Sequence, residues 1–138
     1  MVFTIRAIIE VMGHPEAHVN DISKKVLENL KKEAGITVLK EDMNQAELIK
    51  ADIFGSHLEV ELKIINLERL LSFCYEYLPS SIEVLDEEKI VMPAREVSSA
   101  LSEMLRKLHG YNLMLHNLSE ANRELKENIE DSKKEEKK

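Results

Sequence analysis

"HLEVELKI", residues 57–64, decides the fold. Leu58, Val60, Leu62 and Ile64 face one way, and His57, Glu59, Glu61 and Lys63 face the other. A period of two is that of a strand with one buried face. Such a strand needs partner strands beside it and a cover over its apolar side, so the flanking sequence is read for both.

Upstream, residues 2–12 alternate in the same way. Phe3, Ile5, Ala7, Ile9 and Val11 share a face, with Thr4, Arg6 and Glu10 opposite. "GHP", Gly13 to Pro15, breaks this strand, and Pro15 suits the first turn of a helix. Val19, Ile22, Val26, Leu27 and Leu30 then recur at intervals that predict an amphipathic helix ending near Gly35. "ITVLKED", Ile36 to Asp42, reads as a second strand. The stretch from Met43 to Ser56, "MNQAELIKADIFGS", has no clean period and reads as a long loop with one helical turn.

Downstream of the quoted strand, Asn66 is placed to cap a helix carrying Leu67, Leu70, Leu71, Cys74 and Leu78 on one face. "PSS" ends that helix. "IEVLD", Ile82 to Asp86, reads as a fourth strand, which Ile90 to Met92 extend or follow. The order β-α-β-β-α-β predicts an α+β domain over residues 1–92. Its expected form is the split βαβ, ferredoxin-like antiparallel sheet with two helices on one face. The open face of that sheet would carry Arg6, Glu10, His57, Glu59, Glu61 and Glu83. RNA-recognition domains of this topology show aromatic rings there for base stacking. With three Phe, three Tyr and no Trp in the chain, and carboxylates on that face, base stacking is not expected.

Pro93 opens a third helix. Val97, Leu101, Met104, Leu108, Tyr111, Leu115, Leu118, Asn122, Leu125 and Ile129 follow one another at alternating steps of four and three. That 3.5-residue period is the mark of a coiled coil. Leu101, Leu108, Leu115, Asn122 and Ile129 take the a positions, and the other five take d. The expected seam is about 50 Å long at 1.5 Å per residue. A buried Asn at a trades stability for register. His109 and His116 fall at b, outside the seam and roughly 10 Å apart, too far to share one metal. Leu105 at e, Met114 at g and Leu113 at f widen the stripe, while Lys107, Asn112, Lys126 and Asn128 give e and g no charge code. Gly110 weakens the helix locally by roughly 1 kcal/mol. The coiled-coil helix is expected over 93–130, and 131–138 as a frayed tail.

The 138 residues allow one compact domain and this appendage, and 43% hydrophobic content allows a core. The net charge of −7 argues against general nucleic-acid binding, which needs cations to neutralise phosphates. The Lys- and Glu-rich 33% charged fraction carries the bias of hyperthermophile proteins. Cys74 is the single cysteine, which excludes an intramolecular disulfide and a cysteine-based zinc cluster. "MVFTIRAIIEVMG" reads as neither a signal peptide nor a membrane span, so a cytoplasmic protein is expected.

Candidate chemistry is sparse. "GHPEAH" sets Gly13, His14, Glu16 and His18 around a helix start, where they are candidates for a ligand site. Two histidines without a third ligand fall short of a metal site. Cys74 lies on an apolar stripe with no activating base beside it. Phosphate-binding, nucleophile-elbow and dinucleotide fingerprints do not occur. No catalytic residue, metal or cofactor is assigned.

The order over residues 2–86 resembles the ferredoxin-like and ACT-like superfamily. That resemblance implies a small-ligand site, commonly for an amino acid, near the loop after the first strand, here "MGHPEAH", Met12 to His18. ACT loops carry an acidic residue and then Pro-Gly, whereas Pro15 is followed by Glu16 here. The Lys/Glu-rich style also resembles uncharacterised archaeal proteins. The expected function is a homodimeric, non-enzymatic adaptor assembled by its C-terminal helix. It would bind a basic protein partner, such as one on a ribosomal or nucleoprotein particle. The alternatives are an ACT-like amino-acid sensor and a metal-dependent enzyme using His14 and His18.

Overall fold

The structure is a computed structural model that describes residues 2–86 and 88–136. Its elements run β1 (Phe3–Gly13), α1 (Glu16–Lys32), β2 (Ile36–Met43), β3 (Glu47–Lys50), β4 (Ile53–Ile64), α2 (Leu67–Tyr77), β5 (Ser81–Val84) and α3 (Ala94–Glu136). The described residues form an α+β structure, with a five-stranded antiparallel sheet and three helices. It divides into a unit of residues 1–100 and a second unit of residues 101–138.

β4 organises the first unit. It pairs with the whole of β1, from Phe3 opposite Ile64 to Gly13 opposite Phe54. Its other edge takes β2 at Leu58–Ile64 and β3 at Ile53–Gly55. The sheet order is β2-β4-β1-β5, with β3 attached to β4 beside that path. The alternation read from the sequence is the alternation of burial. Phe3, Ile5, Ala7 and Ile9 of β1 and Leu58, Val60, Leu62 and Ile64 of β4 are buried on one face. Val19 and Leu30 of α1 and Leu70 and Phe73 of α2 are buried on the helices that cover this face. Each fully buried side chain of this size stabilises the fold by roughly 1.5–3 kcal/mol relative to exposure.

The helix ends follow local chemistry. Asn66 Oδ1 accepts from the Arg69 backbone N–H at 2.8 Å, the N-cap that the sequence predicts. Gly35, just past α1, has φ +80, the left-handed conformation that glycine adopts without steric penalty. At the junction of α1 and α2, Arg69 Nε donates to Ala34 O at 2.8 Å, and Tyr77 Oη donates to Glu33 Oε1 at 2.9 Å. Burial, then the bond to the Glu33 carboxylate, pushes the Tyr77 phenol up to about 12.

Three expectations require correction. Residues 43–56 are not a long loop with a helical turn: they hold β3 and the first part of β4, so the strand read at 57–64 begins at Ile53. The turn between these strands is Ala51–Asp52, with Ala51 at φ 47. An alanine in the left-handed region supplies no turn signal in sequence, and the register shift between Leu48 and Lys50 blurs the alternation. The remaining link is tied by side chains, not loose. Asn44 Oδ1 accepts from the His57 N–H at 2.6 Å, and Asn20 Oδ1 accepts from the Ala46 N–H at 2.8 Å. Second, Ile90 to Met92 form no strand, and Ile90 and Met92 pack on the core. Third, α3 runs on to Glu136 through the stretch read as a tail, since Lys and Glu are good helix formers. Lys137 and Lys138 lie outside the described residues.

Two outcomes follow. Gly35→Ala places a Cβ 2.9 Å from Ile65 Cγ2 and forces an alanine to positive φ. Urea denaturation is expected to show a loss of about 1–2 kcal/mol. Tyr77→Phe is expected to cost about 1 kcal/mol at neutral pH. Because the native phenol titrates above its unfolded value of 10, this contribution is complete below pH 10 and is lost as pH rises through about 12. Stability curves of the two proteins should therefore converge over that window.

Candidate functional site

Three places were singled out by the residues: the open face of the sheet, the "GHPEAH" turn and the stripe of α3. The open face is built by cross-strand register. Arg6 of β1 lies opposite Glu61 of β4 and Glu83 of β5. Its guanidinium reaches Glu61 Oε1 at 3.0 Å, Glu83 Oε2 at 3.3 Å and Glu59 Oε1 at 3.5 Å. The hydrogen bond to Glu61 leads the influences that raise the Arg6 pKa. His57 Nδ1 lies 3.5 Å from Glu10 Oε1 on the same face. The expected open-face residues thus lie on one face as two groups, Glu59, Glu61 and Glu83 around Arg6, and Glu10 beside His57.

Lys40 joins them through a feature absent from the pattern. A bulge between Val38 and Lys40 shifts the register of β2 and sets Lys40 opposite Glu61, with Nζ 3.9 Å from Glu61 Oε2. The same bulge turns Glu41 toward α1, where its carboxylate accepts from Lys31 at 2.8 Å. A depression of about 240 Å³ lies over Arg6, Lys40, Asp42, Glu59 and Glu61. That is smaller than the roughly 300–1,000 Å³ of small-molecule pockets. Two of its carboxylates, Glu59 and Glu61, are engaged by Arg6, and Glu61 by Lys40 as well.

At the β3 end of this face the character changes. Gly55 has no side chain, and Ile49 folds over it: a Cβ there would clash with Ile49 Cδ1, with Met12 Cγ 3.8 Å away. Met12, Ile49 and Ile53 are exposed. This small apolar patch was not legible, because it depends on the unrecognised hairpin of β3 and β4.

The "GHPEAH" turn connects β1 to α1. His14 Nδ1 is 2.9 Å from the Asp52 carbonyl oxygen, and its ring lies 6.5 Å from that of Phe54. The turn therefore rests on the β3–β4 hairpin. Gly13 is paired within β1, with room for a Cβ 3.6 Å from Val19. Glu16 and His18 are exposed in the first turn of α1. Among the described residues, no three His, Cys, Asp or Glu side chains are grouped to hold a metal ion. Cys74 is half-buried on α2, and burial pushes its thiol up, away from the reactive thiolate.

On α3, Ala100 is fully buried in the first unit. Beyond it the apolar stripe is open: Leu108 is 44%, Leu115 65% and Leu125 59% exposed. Leu101, Tyr111, Leu118 and Ile129 are exposed too, and Asn122 lies among them. The helix is continuous through Gly110. Among the described residues, no helix is long and apolar enough to cross a membrane.

A family model, described as the MJ0538 family, matches residues 4–136. The chain belongs to the MJ0538 family. The match spans both the sheet unit and α3, so the long helix is part of the family's pattern. No significant match was found among curated proteins or among solved structures. For this MJ0538-family chain, Arg6→Met should leave Glu59, Glu61 and Glu83 without their shared cation. Thermal melts are expected to show a small drop in melting temperature at low ionic strength that shrinks in 1 M salt.

Proposed function

We propose that this protein is a homodimeric, non-enzymatic adaptor that assembles through α3 and presents the open face of its sheet to a macromolecular partner. The observation that carries the reading is the unbroken seam from Val97 to Ile129, most of whose apolar side chains are exposed on the single chain. Monomers rarely leave contiguous apolar surface of this length in water, and a second helix with the same stripe removes it. The sheet face supports the second half of the reading. Carboxylates around Arg6, bordered by Met12, Ile49 and Ile53, match a basic segment with apolar residues, as on proteins of ribosomal or nucleoprotein particles.

The strand order β2-β4-β1-β5 supports the ferredoxin-like assignment of the fold. α1 links β1 to β2 across β4, and α2 links β4 to β5 across β1, as in two split βαβ units, with β3 as an addition. An ACT-like sensor needs a ligand pocket. The depressions of about 240 and 200 Å³ on the open face favour the adaptor over that alternative. Among the described residues no group of three metal-ligating side chains includes His14 and His18, which leaves the metal-enzyme reading without a ligand set.

The test is solution mass by light scattering on the full chain and on the double variant Leu108→Asp/Leu115→Asp. Full length is retained because truncation before α3 would remove buried Ala100. A dimeric native chain and a folded monomeric variant are expected, since two buried charges per helix oppose pairing by several kcal/mol. A native chain that stays monomeric at 100 μM overturns the reading.

A further inference from the structure

We infer that two copies of α3 pair parallel and in register, with Asn122 opposite Asn122. This rests on the adaptor reading and adds the orientation and register of the pair, which the heptad alone leaves open. The occupant of the exposed stripe is therefore a second copy of this chain, for a reason that lies in the seam's single polar member.

Asn122 takes an a position and is exposed on the single chain. Its carboxamide has a carbonyl acceptor and an NH₂ donor, so it is complementary to another carboxamide. In a parallel pair the a residues meet their own copies, and Asn122 finds that partner across the seam. In an antiparallel pair the a residues pack in layers against d. The d positions from Val97 to Leu125 are Val, Met, Tyr, Leu and Leu. Full antiparallel overlap of Val97–Ile129 thus sets Asn122 against Met104 and leaves its amide without a partner. Burying such a group unpaired costs roughly 1–3 kcal/mol. A parallel pair slipped by one heptad makes the same error twice, placing each Asn122 against Leu115 or Ile129.

The rest of the helix agrees with this geometry. His109 and His116 sit at b, clear of the seam, and His116 Nε2 lies 3.6 Å from Glu120 Oε1 on its own helix. Antiparallel pairing guided by charge would need complementary residues at e and g. From Leu101 to Ile129 the e positions hold Leu105, Asn112, Ser119 and Lys126 and the g positions Lys107, Met114, Ala121 and Asn128, with no acidic residue to pair with either lysine and so no direction set. Asn122 is then the element that selects direction and register together.

The test uses the full-length chain with Cys74→Ser, adding Leu108→Cys or Leu125→Cys in separate proteins. The two positions are about 25 Å apart along the helix. A parallel, in-register pair brings each cysteine against its own copy, within the 4.4–6.8 Å Cα separation of a disulfide. Both proteins are expected to form interchain disulfides in near-quantitative yield under mild oxidation with oxidised glutathione. In an antiparallel pair at most one position lies near the crossing centre, so a dimer that cross-links at one position or neither overturns the inference and leaves the assembly reading standing. A monomer by light scattering overturns the assembly reading itself. Asn122→Leu in each background separates register control from simple packing. The variant should still assemble, with cross-linking yield falling at least twofold and higher oligomers appearing. Unchanged yield and mass in Asn122→Leu would remove Asn122 as the selector and overturn the inference.

Discussion

The first unit depends on one constraint: a twelve-residue strand, β4, must bury Leu58, Val60, Leu62 and Ile64 while hydrogen bonding on both edges. Backbone amides in a core have no water to turn to, so both edges need partners. The whole of β1 supplies one edge, and β2 and β3 divide the other. α1 and α2 then cover the apolar face that these pairings create. Slipping β4 by one residue would move all four side chains into water, so the register is held by burial as well as by hydrogen bonds.

The same strand produces the open face. Glu59 and Glu61 face outward because Leu58, Val60 and Leu62 face inward, and Arg6 reaches them because Ile5 and Ala7 are buried beside them. The cross-strand ion pairs are exposed and individually weak. Their consequence is spatial: three carboxylates are held on one surface by a cation that offsets their repulsion. The edge of this face at Met12, Ile49 and Ile53 is apolar because β3 turns back onto β4 over Gly55. Charged and apolar surface thus meet on one sheet.

Much of this was legible. The strands around Ile5 and Leu62, the Asn66 cap, the glycine after α1 and the members of the open face all follow from residues read in order. The β3 hairpin was not, because its turn uses Ala51 at positive φ where a Gly or Asn would have announced it. Lys40 was not, because a bulge reverses the side-chain parity that Ile36 and Val38 establish. Tyr77 and Glu33 are 44 residues apart in sequence, and no local pattern joins them.

The sequence by itself determined which faces are apolar and where most of the regular elements lie, because side chains change face every residue in a strand and share a face every three to four residues in a helix. It also determined that α3 carries one polar residue on its stripe. Tertiary structure decided the order of strands, the hairpin of β3, the parity of Lys40 and Glu41, and the grouping of Arg6 with Glu59, Glu61 and Glu83. Periodicity reports each residue's environment along one axis. Register shifts and cross-strand contacts are set by atoms distant in the chain, and only folding brings those within bonding range.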